Sequence, residues 1–324
     1  MRRSRKPIVI ASRSSALARV QAERVGAALG RLHPSLRIEY LWIESQGDKM
    51  VDKPLHDVGG KGLFTRAVDN AVLEGNADLS VHSLKDLSAT ETQGLTIAAV
   101  PKRNDVRDTL VSAEGYASID ALPERVAVGT ASPRRKAQLL RKRPDIEISI
   151  LRGNVPTRLE RVMEGRDGFG ATIMAVAGLK RLGLTEHLRF PIDTDTMLPA
   201  ACQGALALVC RSDDHVTLTR CLPLNHAVSA AEVHAERELL RHLHADCHHP
   251  IAVLAEQTVP DHFRFRAEVL SPDGAVSLSI DERATTKSLR RVVQKSAARL
   301  LERGADRLLG RDSFPLPNEA SPAG

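Results

Sequence analysis

Short apolar runs alternate with longer amphipathic stretches along most of the chain. Pro7 to Ala11 (PIVIA) and residues 37–43, 77–84, 95–100, 126–129, 146–151 and 171–176 are continuous or near-continuous apolar segments of strand length. That pattern predicts buried, mostly parallel strands rather than half-exposed antiparallel ones. Between them the apolar residues recur at helical spacing. Leu17, Val20, Val25 and Leu29 share one side of a helix ending near Leu29, and Phe64, Ala67, Val68, Ala71 and Val72 share one side of a helix over Leu63–Leu73. Ser132-Pro133 and Asn154 are helix starts, with an oxygen to cap free amides and, at Pro133, a ring that fits the first helical position. The apolar stretch 198–210 is expected to return the chain to the first sheet. Further on the pattern changes. A helix over Asn225–Leu243 presents Ala235, Leu239, Leu240 and Leu243 on one side, and a strand starts at Ile251. Phe263–Leu270 and Ala275–Ile280 are strands joined by Ser271-Pro272-Asp273-Gly274, a sequence suited to a hairpin turn. A last helix runs from about Lys287 to Arg303. The tail from Asp312 is rich in Pro, Ser and Ala and is expected to be disordered.

The expected fold is therefore α/β, with two lobes around a cleft and a small C-terminal α+β domain. Residues 1–101 with 199–220 form the first lobe, 102–198 the second, and 221–324 the third domain. A length of 324 residues accommodates this division. Gly47 to Gly62 has no clear periodicity and ends in GGKG, which lacks the spacing and the following Ser or Thr of a P-loop. It reads as a lid loop.

Composition narrows the function. Aromatics make up 3% of the chain, too few for base-stacking surfaces. The net charge of +6 predicts an anionic partner, but the arginines punctuate strand ends instead of forming a stripe, so nucleic acid is not expected. The four cysteines and twelve histidines form no metal-binding pattern. His248 and His249 adjoin Cys247, but adjacent side chains rarely converge on one ion, so no metal is expected. The apolar run at the start is shorter than the roughly seven to fifteen residues of a signal peptide, and none approaches the roughly eighteen of a membrane helix. The expectation is a cytoplasmic protein with reduced thiols, no membrane partner, and a monomeric state.

Candidate chemistry concentrates at the strand ends. Lys85 and Asp86 follow the strand of ADLSVHSLKDLS, at the carboxyl end where open α/β sheets bind ligands. Three strand-to-helix junctions each combine Ser, Thr or Asn with arginine: Ser12–Ser15 with Arg13, Thr130–Arg135 with Arg134 and Arg135, and Arg152–Arg158 with both of its terminal arginines. A helix start attracts anions through its free amides and dipole. An arginine in the first turn opposes that dipole by about 0.3–1 kcal/mol. Solvated helix starts are the simpler reading of any one junction. Three in succession point to a multiply anionic ligand lying across the sheet edges, where arginine's planar fork suits carboxylates.

With these residues in view the chain resembles the porphobilinogen deaminase (hydroxymethylbilane synthase) family over nearly its whole length. The resemblance rests on SRSSALARVQ (12–21), GGKGLF (59–64), ADLSVHSLKDL (77–87), GTASPRR (129–135), LRGNVPTRL (151–159), AVAGLKRLG (175–183), LPAACQGA (198–205) and AERELL (235–240), with Cys247 ahead of Pro250. It implies two periplasmic-binding-protein-like lobes crossed twice by the chain, and a third domain carrying the cysteine loop. It also implies a transferase of haem biosynthesis that joins four porphobilinogen molecules head to tail, with loss of ammonia, to give hydroxymethylbilane. A dipyrromethane cofactor would be bound as a thioether to Cys247, with Asp86 as the catalytic carboxylate. Ser15, Lys85, Thr130, Ser132, Arg134, Arg135 and Gln203 would hold the cofactor. Arg13, Arg152, Arg158, Arg181, Lys61 and Phe64 would bind substrate. Each pyrrole unit carries two carboxylates, which fits the supply of arginines. A carboxylate at Asp86 would stabilise the cation left when ammonia departs. Cys247, on a loop near arginines, is expected to have its thiolate favoured.

The chain departs from the family pattern at several positions. Ala245-Asp246 replaces the usual glycines before Cys247, and Asp246 is expected to disfavour the thiolate. Cys202 stands in place of a usual glycine. Asp57 stands where a lysine is often found, SLKDLSA replaces SMKDVP, and no acidic residue follows Asn225-His226. The alternative function is a diverged, non-catalytic two-lobed anion-binding protein.

Overall fold

The computed structural model describes residues 6–44 and 65–310. The expected lid over Gly47–Gly62, with Lys61 and Asp57, the neighbouring Phe64, and the tail from Asp312 all lie outside the described residues.

The first lobe opens with β1 (Ile8–Arg13), α1 (Ala16–Leu32), β2 (Ile38–Ile43), α2 (Arg66–Leu73), β3 (Leu79–Ser83) and β4 (Leu95–Ala99). β1 pairs in parallel with β2 and β3. The sheet is covered on both faces, as its near-continuous apolar strands require. Ile8, Ile10, Leu79 and Val81 pack with Val25 and Leu29 of α1, while Ala11 packs on the other face with Val68, Ala71 and Val72 of α2.

The second lobe runs β5 (Asp108–Val111), β6 (Ala127–Gly129), α3 (Pro133–Lys142), β7 (Glu147–Ser149), α4 (Val155–Met163), β8 (Ala171–Ala175), α5 (Val176–Leu182) and β9 (Phe190–Pro191). The chain then returns as β10 (Leu206–Arg211), antiparallel between β3 and β4. The two sheets have matching order, β2-β1-β3-β10-β4 and β7-β6-β8-β5-β9. In each, the fourth strand is antiparallel to the third and is the first strand laid down after the chain crosses between lobes. The pattern did not reveal β5 or β9, which are short and flanked by charged or irregular segments.

After α6 (His215–Cys221) the third domain comprises α7 (Ala227–His242), antiparallel β11 (Ile251–Val259), β12 (His262–Leu270) and β13 (Ser277–Thr285), then α8 (Leu289–Glu302) and α9 (Ala305–Leu308). Leu239, Leu243, Val253, Phe265, Val269, Val293 and Leu300 fill its core. The turn at 271–274 forms as expected and touches the second lobe. A Cβ on Gly274, whose φ is +76°, would lie 2.2 Å from the Ala137 carbonyl oxygen of α3, so that contact requires glycine.

The crossovers, 100–107 and 192–205, are locked together. The Asn104 amide donates to the Gly204 carbonyl at 3.1 Å. Gly204 has φ +87°, and a Cβ there would meet the Asn104 carbonyl oxygen at 2.6 Å. Arg181, expected to bind substrate, instead spends its guanidinium here. Nη2 donates to the Gly204 carbonyl at 2.6 Å and Nε to Asn104 Oδ1 at 3.2 Å. Beside it, Arg103 makes a two-pronged pair with the fully buried Glu236 of α7, Nη1–Oε1 2.7 Å and Nη2–Oε2 3.1 Å. Glu236 also accepts the amides of Cys202 and Ala255. Cys202 has φ +62°, which explains why a glycine suits this position better.

Gly204→Ala is expected to lower stability by at least about 1–3 kcal/mol, read as a reduced denaturation midpoint. An unchanged midpoint would show that the crossovers can separate freely.

Candidate active site

β3 ends at Ser83, and a 3-10 turn over Leu84–Asp86 carries Lys85 and Asp86 past the sheet edge. A small cavity of about 50 Å³ lies there, lined by Arg13 from the end of β1, Ser15, Gln21, His82, Ser83 and Asp86. Ser15 is the N-cap residue of α1, but its hydroxyl makes no capping bond. Beneath the cavity, His82 Nε2 lies 3.0 Å from Asp69 Oδ1 of α2. The first junction thus places a serine, an arginine and the aspartate around one space, as the sequence pattern anticipates.

The second junction has a different anion from the one expected. Ser132 caps α3 by accepting the Arg135 amide, and Thr130 Oγ1 accepts the Ser132 amide at 3.2 Å. Arg134 and Arg135, however, both fold onto Asp108, the first residue of β5, and all three are buried. Arg134 Nη2 donates to Oδ2 and Arg135 Nη2 to Oδ1, each at 2.7 Å. The Leu198 and Ile173 carbonyls accept from their other prongs at 2.8 Å. The anion offsetting the cost of arginines at this helix start is therefore in part the protein's own. Gln203 completes the cluster: Nε2 donates to Asp108 Oδ1 at 2.8 Å, and Oε1 accepts from Lys85 Nζ at 3.3 Å. Burial alone would raise the pKa of Asp108, but Arg135 and Arg134 outweigh it and hold the carboxyl well below the ordinary range. Burial brings Lys85 down to about 8, with Asp86 opposing the shift and Arg135 adding to it.

From the third junction, Asn154 caps α4 through the Thr157 amide at 2.9 Å. Arg158 extends toward the same region from the second lobe. Burial first and Arg135 second lower its pKa to about 10, while Asp86 acts in the opposite sense. Its buried Nε has no hydrogen-bond partner, nor does that of Arg134. Half-buried Arg152 lies just before this cap.

Cys247 enters from the third domain on the loop before β11. The Asp246 carboxylate shapes that loop, accepting the His248 amide at 3.0 Å and lying 2.9 Å from His249 Nδ1. The thiol is exposed, yet partial enclosure, followed by Asp86 and then Asp246, pushes its pKa up to about 11. The expectation of a favoured thiolate is thus overturned. The charges that act on the sulfur are carboxylates, and Arg134 and Arg135 are committed to Asp108. The sequence reading of Asp246 as unfavourable to the thiolate agrees with this geometry. Asp108, Glu236, Arg103 and Asp69 were not anticipated. An acid immediately before the apolar run TLV, inside a basic stretch, was the available signal for Asp108.

The model of "Porphobilinogen deaminase, dipyromethane cofactor binding domain" matches residues 8–219, and that of "Porphobilinogen deaminase, C-terminal domain" matches 230–302. The chain belongs to the porphobilinogen deaminase family. It is 45% identical over 278 residues to the porphobilinogen deaminase of Ralstonia nicotianae, covering 86% of this chain and 82% of that protein. It is 43% identical over 280 residues to that of Laribacter hongkongensis, covering 86% and 89%. Among solved structures it is similar to the second substrate-binding domain of a putative amino acid ABC transporter from Streptococcus pneumoniae. There the identity is 15% and the TM-score 0.45, over 72% of this chain and 97% of that one.

Porphobilinogen deaminases carry a dipyrromethane, which presents several carboxylates, and the residues here fit such a group. Two buried guanidinium Nε atoms lack acceptors, Lys85 adjoins them, and an accessible thiol stands within the electrostatic reach of Asp86. Asp108→Asn is expected to destabilise the fold by about 3–5 kcal/mol, because it leaves two buried guanidinium groups short of a counter-charge. Folding depresses the Asp108 pKa, so its contribution is complete above the unfolded value near about 4 and is lost as pH falls below it toward the folded value. Unfolding free energies measured from neutral to acid pH should show that loss in the parent and a shallower one in Asp108→Asn. Parallel profiles would remove Asp108 from the linkage.

Proposed function

We propose that the cleft joins four porphobilinogen molecules head to tail, releasing ammonia, to give hydroxymethylbilane, with Asp86 as the catalytic carboxylate and Cys247 as the point of cofactor attachment. The observation that carries this reading is the cavity past the carboxyl end of β3, which Asp86 lines together with Arg13 and Ser15. Lys85 from the same turn, Arg158 from the second lobe and Cys247 from the third domain all respond to the charge of Asp86.

The residues divide the chemistry by sign. Arg13, Arg152 and Arg158, with Lys85, provide the field that draws in the carboxylates of porphobilinogen. Ser15, Thr130, Ser132, Arg134, Arg135 and Gln203 line the floor that holds the dipyrromethane. Arg134, Arg135 and Gln203 do so as a pre-set block, because Asp108 fixes their geometry. Dipyrromethane supplies the pyrrole carbon from which the product grows. Asp86 remains the exposed anion in this cationic surround. A carboxylate there accepts pyrrole N–H groups, stabilises the positive charge that develops as ammonia leaves porphobilinogen, and takes up a proton. Lys61 and Phe64 are assigned to substrate by their place in GGKGLF alone. Arg181 is withdrawn from substrate contact because its donors are committed at the crossover.

The reading includes the division into residues 1–101 with 199–220, 102–198 and 221–324, supported by sheet membership and by the crossover pairing. It also includes a cytoplasmic monomer with neither nucleic acid nor membrane as partner. Among the described residues, no helix is long and apolar enough to cross a membrane. Arg103, Arg134 and Arg135 are drawn into buried ion pairs.

Intact mass of the purified protein tests attachment. An increment equal to two linked pyrrole units, absent in Cys247→Ser, supports the reading. A protein that stays unmodified after incubation with porphobilinogen overturns it. Asp86→Asn should lower turnover by about 10²–10⁴-fold while leaving the mass increment of already loaded protein in place.

Alkylation of cofactor-free protein by iodoacetamide should accelerate about tenfold per pH unit across the neutral range, because the thiolate fraction rises toward a pKa of about 11. Asp246→Asn should move that profile to lower pH. A profile levelling off near pH 8 would contradict the carboxylate-dominated environment of Cys247.

A further inference from the structure

A second cavity, larger than the one beside Asp86, lies apart from the catalytic cleft. It has a volume of about 420 Å³ and lies against the edge of the first sheet, between the start of α2, the segment after Asp86, and α7 of the third domain. Its apolar floor is Leu87, Leu95, Ile97 and Val209, and hydroxyls of Thr65, Ser88, Thr90 and Thr92 ring it. This is the composition of a small-molecule site: mostly apolar, with a few placed polar groups.

One wall holds Arg237, which is 3% exposed. Its Nη2 donates to the Ala89 carbonyl at 3.1 Å, and its Nη1 is buried without any hydrogen-bond partner. No carboxylate forms an ion pair with it among the described residues. Glu91, an acid whose charge acts on it, is exposed on the rim, and Arg241 adds a second positive charge. Asp69, also in the lining, is engaged by His82. A buried guanidinium without a bonded counter-ion is costly unless an anion joins it. We propose that this cavity is a second ligand site, which takes a small amphipathic carboxylic acid with its apolar body on Leu87, Ile97 and Val209 and its carboxylate on Arg237.

The site has two connections to the catalytic cleft. Its lining segment 87–92 continues directly from Asp86, and its Asp69 holds His82, which lines the cavity beside Asp86 and Arg13. Occupancy therefore biases the position of Asp86, and the ligand modulates turnover without competing with substrate. The ligand-binding part stands whether or not the proposed activity does, since it is read by binding alone.

Titration of the loaded enzyme with naphthoate, followed by calorimetry and by turnover, tests the proposal. The expected result is one naphthoate per chain, bound equally well with or without porphobilinogen, and a changed kcat at saturating substrate. Arg237→Gln, and naphthamide in place of naphthoate, should each weaken binding by about tenfold or more through loss of the charge-assisted bond. Ile97→Trp, which fills the cavity and leaves Arg237 intact, should abolish binding, and it decides the matter if Arg237→Gln fails to fold. Competition with porphobilinogen, equal binding to Ile97→Trp, or no binding at millimolar naphthoate would overturn the site. Binding with no change in kcat would overturn the coupling.

Discussion

The buried carboxylate of Asp108 is where the two lobes and their shared chemistry meet. Arg134 and Arg135 from α3, and Gln203 from the returning crossover, all donate to it. One negative charge against two guanidinium groups leaves the cluster positive, and Lys85 and Arg158 extend that field toward Asp86. Without the carboxylate, four cations would be gathered in a poorly solvated space with Asp86 as their remaining counter-charge. With a further buried carboxylate, the positive field would be cancelled. The arrangement holds a fixed excess of positive charge without the separate desolvation cost of each cation. It also sets the arginine forks before any ligand arrives, so less ordering remains to be done on binding.

The second buried pair, Arg103–Glu236, does for architecture what Asp108 does for electrostatics. Glu236 accepts from Arg103 on the outgoing crossover, from Cys202 on the returning one, and from Ala255 in β11. Three domains thus share one carboxylate whose oxygens are both occupied, the condition under which a buried ion pair is tolerated. Gly204 lets the crossovers touch and Arg181 clips them. Relative motion of the lobes must therefore arise from bending on either side of this junction, because sliding through it would break several buried bonds at once. Asp86, Arg158 and Cys247 lie on three different bodies that this junction keeps in register.

The strands and helices that build the lobes were legible because each is a buried apolar run or a helical stripe, and both patterns are local. The junctions at Ser132 and Asn154 were legible for the same reason: capping is a contact within a few residues. Long-range partnerships were not. Nothing local to Arg134 or Arg135 states that the neutralising group is Asp108, some 26 residues earlier in the chain, so the arginines were assigned wholly to ligand. Arg181 resembled a cleft cation until the crossover brought Gly204 and Asn104 to it. β5 was missed because four residues carry too little periodicity to stand out beside a charged segment, though its first residue anchors the cleft.

Cys247 shows how a local inference reverses once charges are placed. A cysteine on a loop expected to lie near arginines invites the reading of an activated thiol. In the fold, the nearest influential charges are Asp86 and Asp246, and both keep the proton on sulfur. For the residue proposed as the point of cofactor attachment, a reluctant thiol has an advantage. Alkylation and oxidation both follow the thiolate fraction, so adventitious reactions are suppressed at neutral pH. In the proposed attachment, reaction is then reserved for a strongly electrophilic, cationic carbon. Asp86, the proposed catalytic carboxylate, is thus also among the charges that hold the proton on Cys247, which links the proposed attachment site to the proposed turnover site through one side chain.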